Sequence, residues 1–346
     1  MRRAPASLAL LVCALWIGVA LGASRTAAQE FDWSTWAEEA RKQHELAGSA
    51  YLVGVAGGSL FRPLSPRGSG LILGPGIVLL GEIHDNPAHH QLRANLIALS
   101  AKRNVGWRPG IVFEQIRSDQ QAALDQFQEA RKDGRGTVDD LFRLLDWKRS
   151  GWPSAEIYKT LFEAALAADL QIHAGDAPRE RVRALARGTP LPAEEQQRLG
   201  LDKPMPQPLL DALAAELKDS HCGMLPDAAL GGMSLAQRYR DAHLADVVLA
   251  AAKRHGAAIL IAGNGHVRSD RGVPWYIRQR SPQAAVESIM MVEVEEGKLD
   301  PATYLPRHPD GKPAADTLIF TPRHDRPDPC AKMREQFQPK SSEPPK

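Results

Sequence analysis

The chemistry-bearing residues of this sequence stand at the ends of apolar runs. GIVLLGEIH (76–84) closes on Glu82 and His84, GIVFEQ (110–115) carries Glu114, LQIHAGD (170–176) holds His173 and Asp176, and GAAILIAGNGH (256–266) ends at His266. A carboxylate leaving a buried strand is costly unless it is hydrogen-bonded or meets a cation, so each of these groups is expected to have a partner. Glu82 and His84, two apart, project from the same side of an extended chain. Gly-x-x-His occurs twice, at Gly81 to His84 and at Gly263 to His266, with Asn264 inside the second copy. A glycine there permits the close backbone approach that a ligand-lined rim needs.

His84, His266, Glu82 and Glu114 also form a donor set for a divalent metal ion with an open position, where bound water becomes a nucleophile. His89 and His90 fall in the first turn of the next helix, an ordinary place for solvated groups, and are expected to be rim contacts at most. Gln237 and Asp241 lie four apart and so share one helix face, which can overlook the GNGH segment. Trp147, Trp152 and Tyr158 make an aromatic cluster that reads as core.

The elements that must position these groups alternate between strand and helix. The five apolar runs at 76–84, 110–115, 170–176, 256–266 and 285–294 are separated by helical patterns, including a long one over 234–254. That order predicts an α/β fold, a mainly parallel sheet flanked by helices. In an open parallel sheet the carboxyl ends of the strands share one edge, and ligands bind in the crevice outside it. Asn86-Pro87 is an N-cap followed by a first-turn proline. Residues 179–232, rich in arginine and then proline, read as a helical insertion into a single domain over 29–322. Residues 323–346 are Pro-rich and charged, and most of that tail is expected to be disordered.

The chain has 346 residues, 43% of them apolar and 24% charged, which is globular composition. Arg2-Arg3, a short apolar core and a small-residue exit make residues 1–28 a signal peptide, so a periplasmic or secreted location is expected. Removing them takes away three arginines and no acid, leaving 40 basic against 41 acidic residues, so nothing argues for nucleic acid. Val12 precedes Cys13 where a lipobox needs a small residue, so lipoprotein anchoring is not expected. Cys222 and Cys330 then remain in an oxidising compartment, and a disulfide between them is the favoured reading over free thiols or ligands.

GEIHDNPAHH (81–90), the strand ending Phe113-Glu114-Gln115, the segment 147–158 with its Trp152-Pro153, AQRYRDAHLA (236–245) and IAGNGHVRSDRGVP (261–274) together resemble the ChaN-like haem-binding uptake family of the Tiki superfamily. The order and spacing of these motifs carry the likeness; one Gly-x-x-His would not. The resemblance implies an α/β core with a helical insertion, an exported protein, and a role in iron or haem acquisition, with an outer-membrane uptake system as a partner. It also implies haem held between the subunits of a homodimer, by a tyrosine on the iron and basic groups on the propionates. Tyr239, between Arg238 and Arg240, and Tyr158, beside the tryptophans, are the candidates for that tyrosine, with Tyr276 third. The wider superfamily includes metal-dependent peptidases and esterases, whose paired histidines and glutamate correspond to His84, His266 and Glu114. The alternative is therefore a hydrolase with Glu82 and Glu114 catalytic, and with Gln237, Asp241, Asn264, His173 and Asp176 as supporting partners.

Overall fold

The computed structural model describes residues 32–54, 60–64, 71 and 73–337. The expected signal peptide, the last residues of the tail and part of the Gly/Pro/Ser-rich stretch before Leu71 lie outside the described residues. The chain runs α1 (Trp33–Arg41), β1 (Ala50–Val53), β2 (Phe61–Pro63), β3 (Ile77–Glu82), α2 (Pro87–Arg103) and β4 (Gly110–Arg117). Then come α3 (Gln121–Lys132), α4 (Val138–Leu144), α5 (Trp147–Ser150), α6 (Ala155–Ala167), β5 (Ile172–Asp176), α7 (Arg179–Ala186), α8 (Ala193–Leu199) and α9 (Gln207–Ser220). The last elements are α10 (Asp227–His255), β6 (Ala258–Gly263), α11 (Asn264–Val267), α12 (Val273–Arg280), β7 (Val286–Glu293), β8 (Thr317–Thr321) and α13 (Pro329–Phe337).

The strands form one eight-stranded sheet in the order β2-β1-β8-β7-β3-β6-β4-β5. All neighbours from β8 to β5 are parallel, and β1 and β2 join antiparallel at the β8 edge. Strand β8 was not expected from the sequence, nor was the N-terminal extension of α10 to Asp227. The expected N-cap is present: the Asn86 side chain accepts from the Ala88 N–H at 2.9 Å, with Pro87 in the first turn. None of the helices among the described residues is long and apolar enough to cross a membrane.

Parity along the strands decides which layer each site residue meets. Ile77 and Leu79 of β3, and Val112 of β4, pack into the core under α7, α10 and α12. Val78, Leu80 and Glu82 therefore face the other layer, that of α2 and α6, as do Phe113 and Gln115. Phe113 stacks on Phe162 of α6 with ring centroids 4.2 Å apart. Glu114, in phase with Val112, faces α10. Cys222, just after α9, is bonded to Cys330 of α13, 108 residues further on, which fastens the C-terminal helix to the helical insertion.

Candidate functional site

On the α2/α6 side the centre is Glu82, whose side chain is fully buried. Its Oε1 accepts from His84 Nδ1 at 2.6 Å, Gln115 Nε2 at 2.9 Å and the Tyr158 hydroxyl at 3.3 Å. Its Oε2 is paired with the guanidinium of Arg93, itself completely buried. Arg93 also donates to His90 Nδ1 at 2.7 Å, and His90 Nε2 donates to the His84 carbonyl at 2.9 Å. Burial pulls the Arg93 guanidinium down to about 9, which leaves it charged at neutral pH, and pulls His90 down to about 4.

His89 and His90 are therefore not solvated rim groups: neither is exposed. His89 Nδ1 accepts from the Ile83 N–H and its Nε2 donates to Thr321, so it stitches β3 to β8, and burial lowers it to about 3. Arg93 was missed from the sequence, although a signal existed. His89, Arg93, Leu96, Ile97 and Ser100 form the buried stripe of α2, and an arginine amid such a stripe needs a buried anion.

On the α10 side Glu114 is equally buried. Its Oε2 accepts from the Gly263 N–H at 2.7 Å, and its Oε1 accepts from Arg240 at 2.7 Å and from His266 Nε2 at 3.1 Å. Arg240 also forks onto both oxygens of Asp176, at 2.9 Å each. His266 Nδ1 donates to Asp241 at 2.6 Å, and Gln237 approaches the same nitrogen at 3.4 Å. Burial alone would lower the His266 imidazole, but Glu114 and Asp241 on either side outweigh it and hold it raised, as an imidazolium. Asn264 donates to the Met291 carbonyl at 2.8 Å.

His173 is not part of this edge. It is the second residue of β5, at the opposite end of the sheet, where its Nε2 lies 3.1 Å from that of His255. Glu82, Glu114, Asp176 and His266 do gather at the carboxyl edge, because β3, β6, β4 and β5 are consecutive neighbours. Among the described residues, however, no three His, Cys, Asp or Glu side chains are grouped to hold a metal ion. The partners explain this. Both His266 nitrogens are committed to carboxylates, and guanidinium groups occupy the place of a cation at Glu82 and Glu114.

Two clefts open along this edge. One, of about 370 Å³, lies under α9 and is lined by His84, Glu114, Gln237, Gly263, His266 and others. The next, of about 310 Å³, is lined by Arg117, Trp152, Asp176, Arg179, Val182 and Arg240 among others. Arg240 belongs to both. His84 stands where they meet, edge-on to Trp152 with ring centroids 4.8 Å apart, and its side chain is 37% exposed. Arg179 is exposed and makes no hydrogen bond or ion pair among the described residues.

The candidate tyrosines are placed elsewhere. Tyr239 is buried and donates to Glu195 at 2.9 Å; burial, then the Glu195 carboxylate, pushes its hydroxyl up to about 12. Tyr158 lies wholly inside, below His84, and Tyr276 is buried and accepts from Arg238 at 3.2 Å. Burial raises both hydroxyls, so none of the three presents a phenolate to a cleft.

The family described as haem-binding uptake, Tiki superfamily, ChaN matches residues 72–277, more than half of the chain. No curated protein matches the chain. Among solved structures, ChaN of Campylobacter jejuni with cofacially bound haem shares the fold with a TM-score of 0.58, at 17% identity, over 78% of this chain and 96% of that one. The type III effector HopBA1 aligns with a TM-score of 0.40 at 12% identity, over 72% of this chain and 88% of its own. The family match takes in both Gly-x-x-His segments and the helix between Gln237 and Asp241, and the chain belongs to the ChaN-like haem-binding uptake family of the Tiki superfamily.

Proposed function

We propose that this protein is an exported haem-binding protein that serves haem or iron acquisition, with its haem at the carboxyl edge of the sheet. The observation that carries the reading is the groove around Trp152. An indole wall stands beside Arg117, Arg179 and Arg240, which suits a flat apolar ring system bearing carboxylates. Arg240 is already bonded to Asp176 and Glu114, so Arg179 is the cation free to meet a propionate, with Arg117 next to it. The family match and the haem seen in ChaN of Campylobacter jejuni support the same ligand. Because the groove is open, one face of a bound haem would stay in water, and pairing with a second copy of the chain would cover it. Homodimerisation and delivery to or from an outer-membrane uptake system are part of this proposal, as is export by the N-terminal leader. The geometry lends less to a metal-dependent hydrolase, since guanidinium groups and an imidazolium already neutralise the carboxylates such a metal would need.

The test is a haemin titration of the purified protein. Saturable growth of a Soret band is expected, with affinity reduced about tenfold in Arg117→Glu/Arg179→Glu, the loss of roughly 1.4 kcal/mol that one charge-assisted contact provides. A titration that never saturates would overturn the haem reading.

A further inference from the structure

We infer that His173 and His255 form a binding site for a late first-row divalent metal ion, copper(II) most tightly, at the end of the sheet opposite the clefts. The site stands independently of the haem reading.

Two rigid elements bring the pair together. His173 pairs in register with Val112, whose side chain packs under α10, so its imidazole points to that same layer. Strand β5 is the edge of the sheet, and α3 grips its backbone on both sides of His173. The Gln128 side chain accepts from the Ile172 N–H at 2.7 Å and donates to the Ile172 carbonyl at 3.1 Å, and Gln121 accepts from the Ala174 N–H at 2.8 Å. His255 is the last residue of α10, followed by Gly256 in the left-handed conformation that ends the helix. The two Nε2 atoms lie 3.1 Å apart. Gly110, at the start of β4, leaves them room: a Cβ there would come within 2.8 Å of the His255 ring and 3.1 Å of His173 Nε2.

Two neutral imidazoles in this contact share either one proton or one metal ion. An imidazole–metal bond is about 2.0–2.1 Å long, so nitrogens 3.1 Å apart span an angle of about 100° at a common ion, between the square-planar and tetrahedral values. Imidazole suits copper, nickel and zinc, and affinity along the divalent series peaks at copper(II). Neither ring makes another hydrogen bond among the described residues, so binding an ion breaks only the contact between them. Burial keeps both imidazoles below their usual value, His173 at about 4, so neither has to release a bound proton at pH 7. The C-terminus of the 29-residue α10 places the negative end of its dipole beside His255, and Asp125 of α3 is near enough to favour positive charge at His173. Arg254 opposes this, but it is exposed and its charge is screened by solvent. The two histidines leave the other coordination positions to water.

The experiment titrates the haem-free mature chain, disulfide intact, with copper(II) against glycine as a competing chelator, read by electron paramagnetic resonance. Wild type is expected to bind one ion saturably, with hyperfine structure from two imidazole nitrogens. His173→Ala and His255→Ala should each weaken binding by about tenfold or more, since even a supporting hydrogen-bond partner is worth that much to a metal site, and each should leave at most one nitrogen in the spectrum. His221→Ala, at a half-buried histidine elsewhere, should change nothing. Both rings of the pair are only half-buried, so the variants should fold, which circular dichroism checks. Gly110→Ala, which retains both ligands but crowds them apart, is a second variant and should also weaken binding. No saturable binding by wild type, a spectrum with one nitrogen, or equal affinity in wild type and both histidine variants would overturn the site, the last marking an adventitious ion only.

Discussion

Replacing Arg93 by methionine removes a cation from the driest part of the site. The side chains of Arg93 and Glu82 are both 0% exposed, so the variant leaves an anion in the interior facing His90 Nδ1, another acceptor, only 3.3 Å away. Breaking one partner out of a buried pair costs about 3–5 kcal/mol, because the surviving charge is desolvated without compensation. That is a large share of the roughly 5–15 kcal/mol by which a domain is stable. Glu82→Gln/Arg93→Met should lose clearly less than the sum of the two single changes, with a coupling energy of about 2 kcal/mol or more, since the double variant buries no charge. Urea unfolding at pH 7.5, followed by circular dichroism for the four proteins of the cycle, measures this. A loss below about 1 kcal/mol in Arg93→Met, the scale of an exposed pair, would refute the buried-charge argument. Additivity within error would refute the pairing.

Stability should also fall in mild acid. His89 and His90 are held neutral by burial, with values depressed to about 3 and about 4 from an unfolded value of 6.5, so their contribution is present above 6.5 and lost as pH falls towards those values. Between pH 6.5 and 5 each should cost about 2 kcal/mol at roughly 1.4 kcal/mol per unit, and urea midpoints that stay level over that window would contradict it. Gly263→Ala places a Cβ 2.8 Å from His84 Nε2 and 2.9 Å from its Cε1, so the imidazole must swing out. The His84–Glu82 hydrogen bond should be lost, at a cost of about 1–2 kcal/mol in urea unfolding with the fold intact; an unshifted midpoint would show that the ring need not sit there. Cys222→Ser/Cys330→Ser opens a loop spanning 108 residues and should cost about 2–4 kcal/mol in urea unfolding, an idea that an unshifted midpoint would sink.

The polar ends of the apolar runs could be found without a structure, because a carboxylate or imidazole closing a strand such as VLLGE stands out against its neighbours. So could the alternation of strand and helix, the Asn86-Pro87 helix start and the motifs that place the chain in its family. Strand β8 escaped because TLIFT is short and follows a Pro- and Asp-rich stretch, and only its pairing with β7 and β1 identifies it. Arg240, the cation that decides what Glu114 can do, arrives from a helix far along the chain, whereas Arg93 sits in the helix that directly follows Glu82 and needed its buried stripe to be recognised.

The sequence by itself determined the class of the fold, the family and the strands whose ends carry the chemistry. Tertiary structure alone decided how those ends divide. Side chains alternate with a period of two, so a glutamate's face is known only relative to its own strand; which layer it meets depends on how neighbouring strands register. Register pairs Glu82 with Gly263 across β3 and β6, and parity sends Glu82 towards α2 and Glu114 towards α10. Two carboxylates that looked like one donor set thus became two separate charge networks, with His84, bonded to Glu82, standing between the clefts.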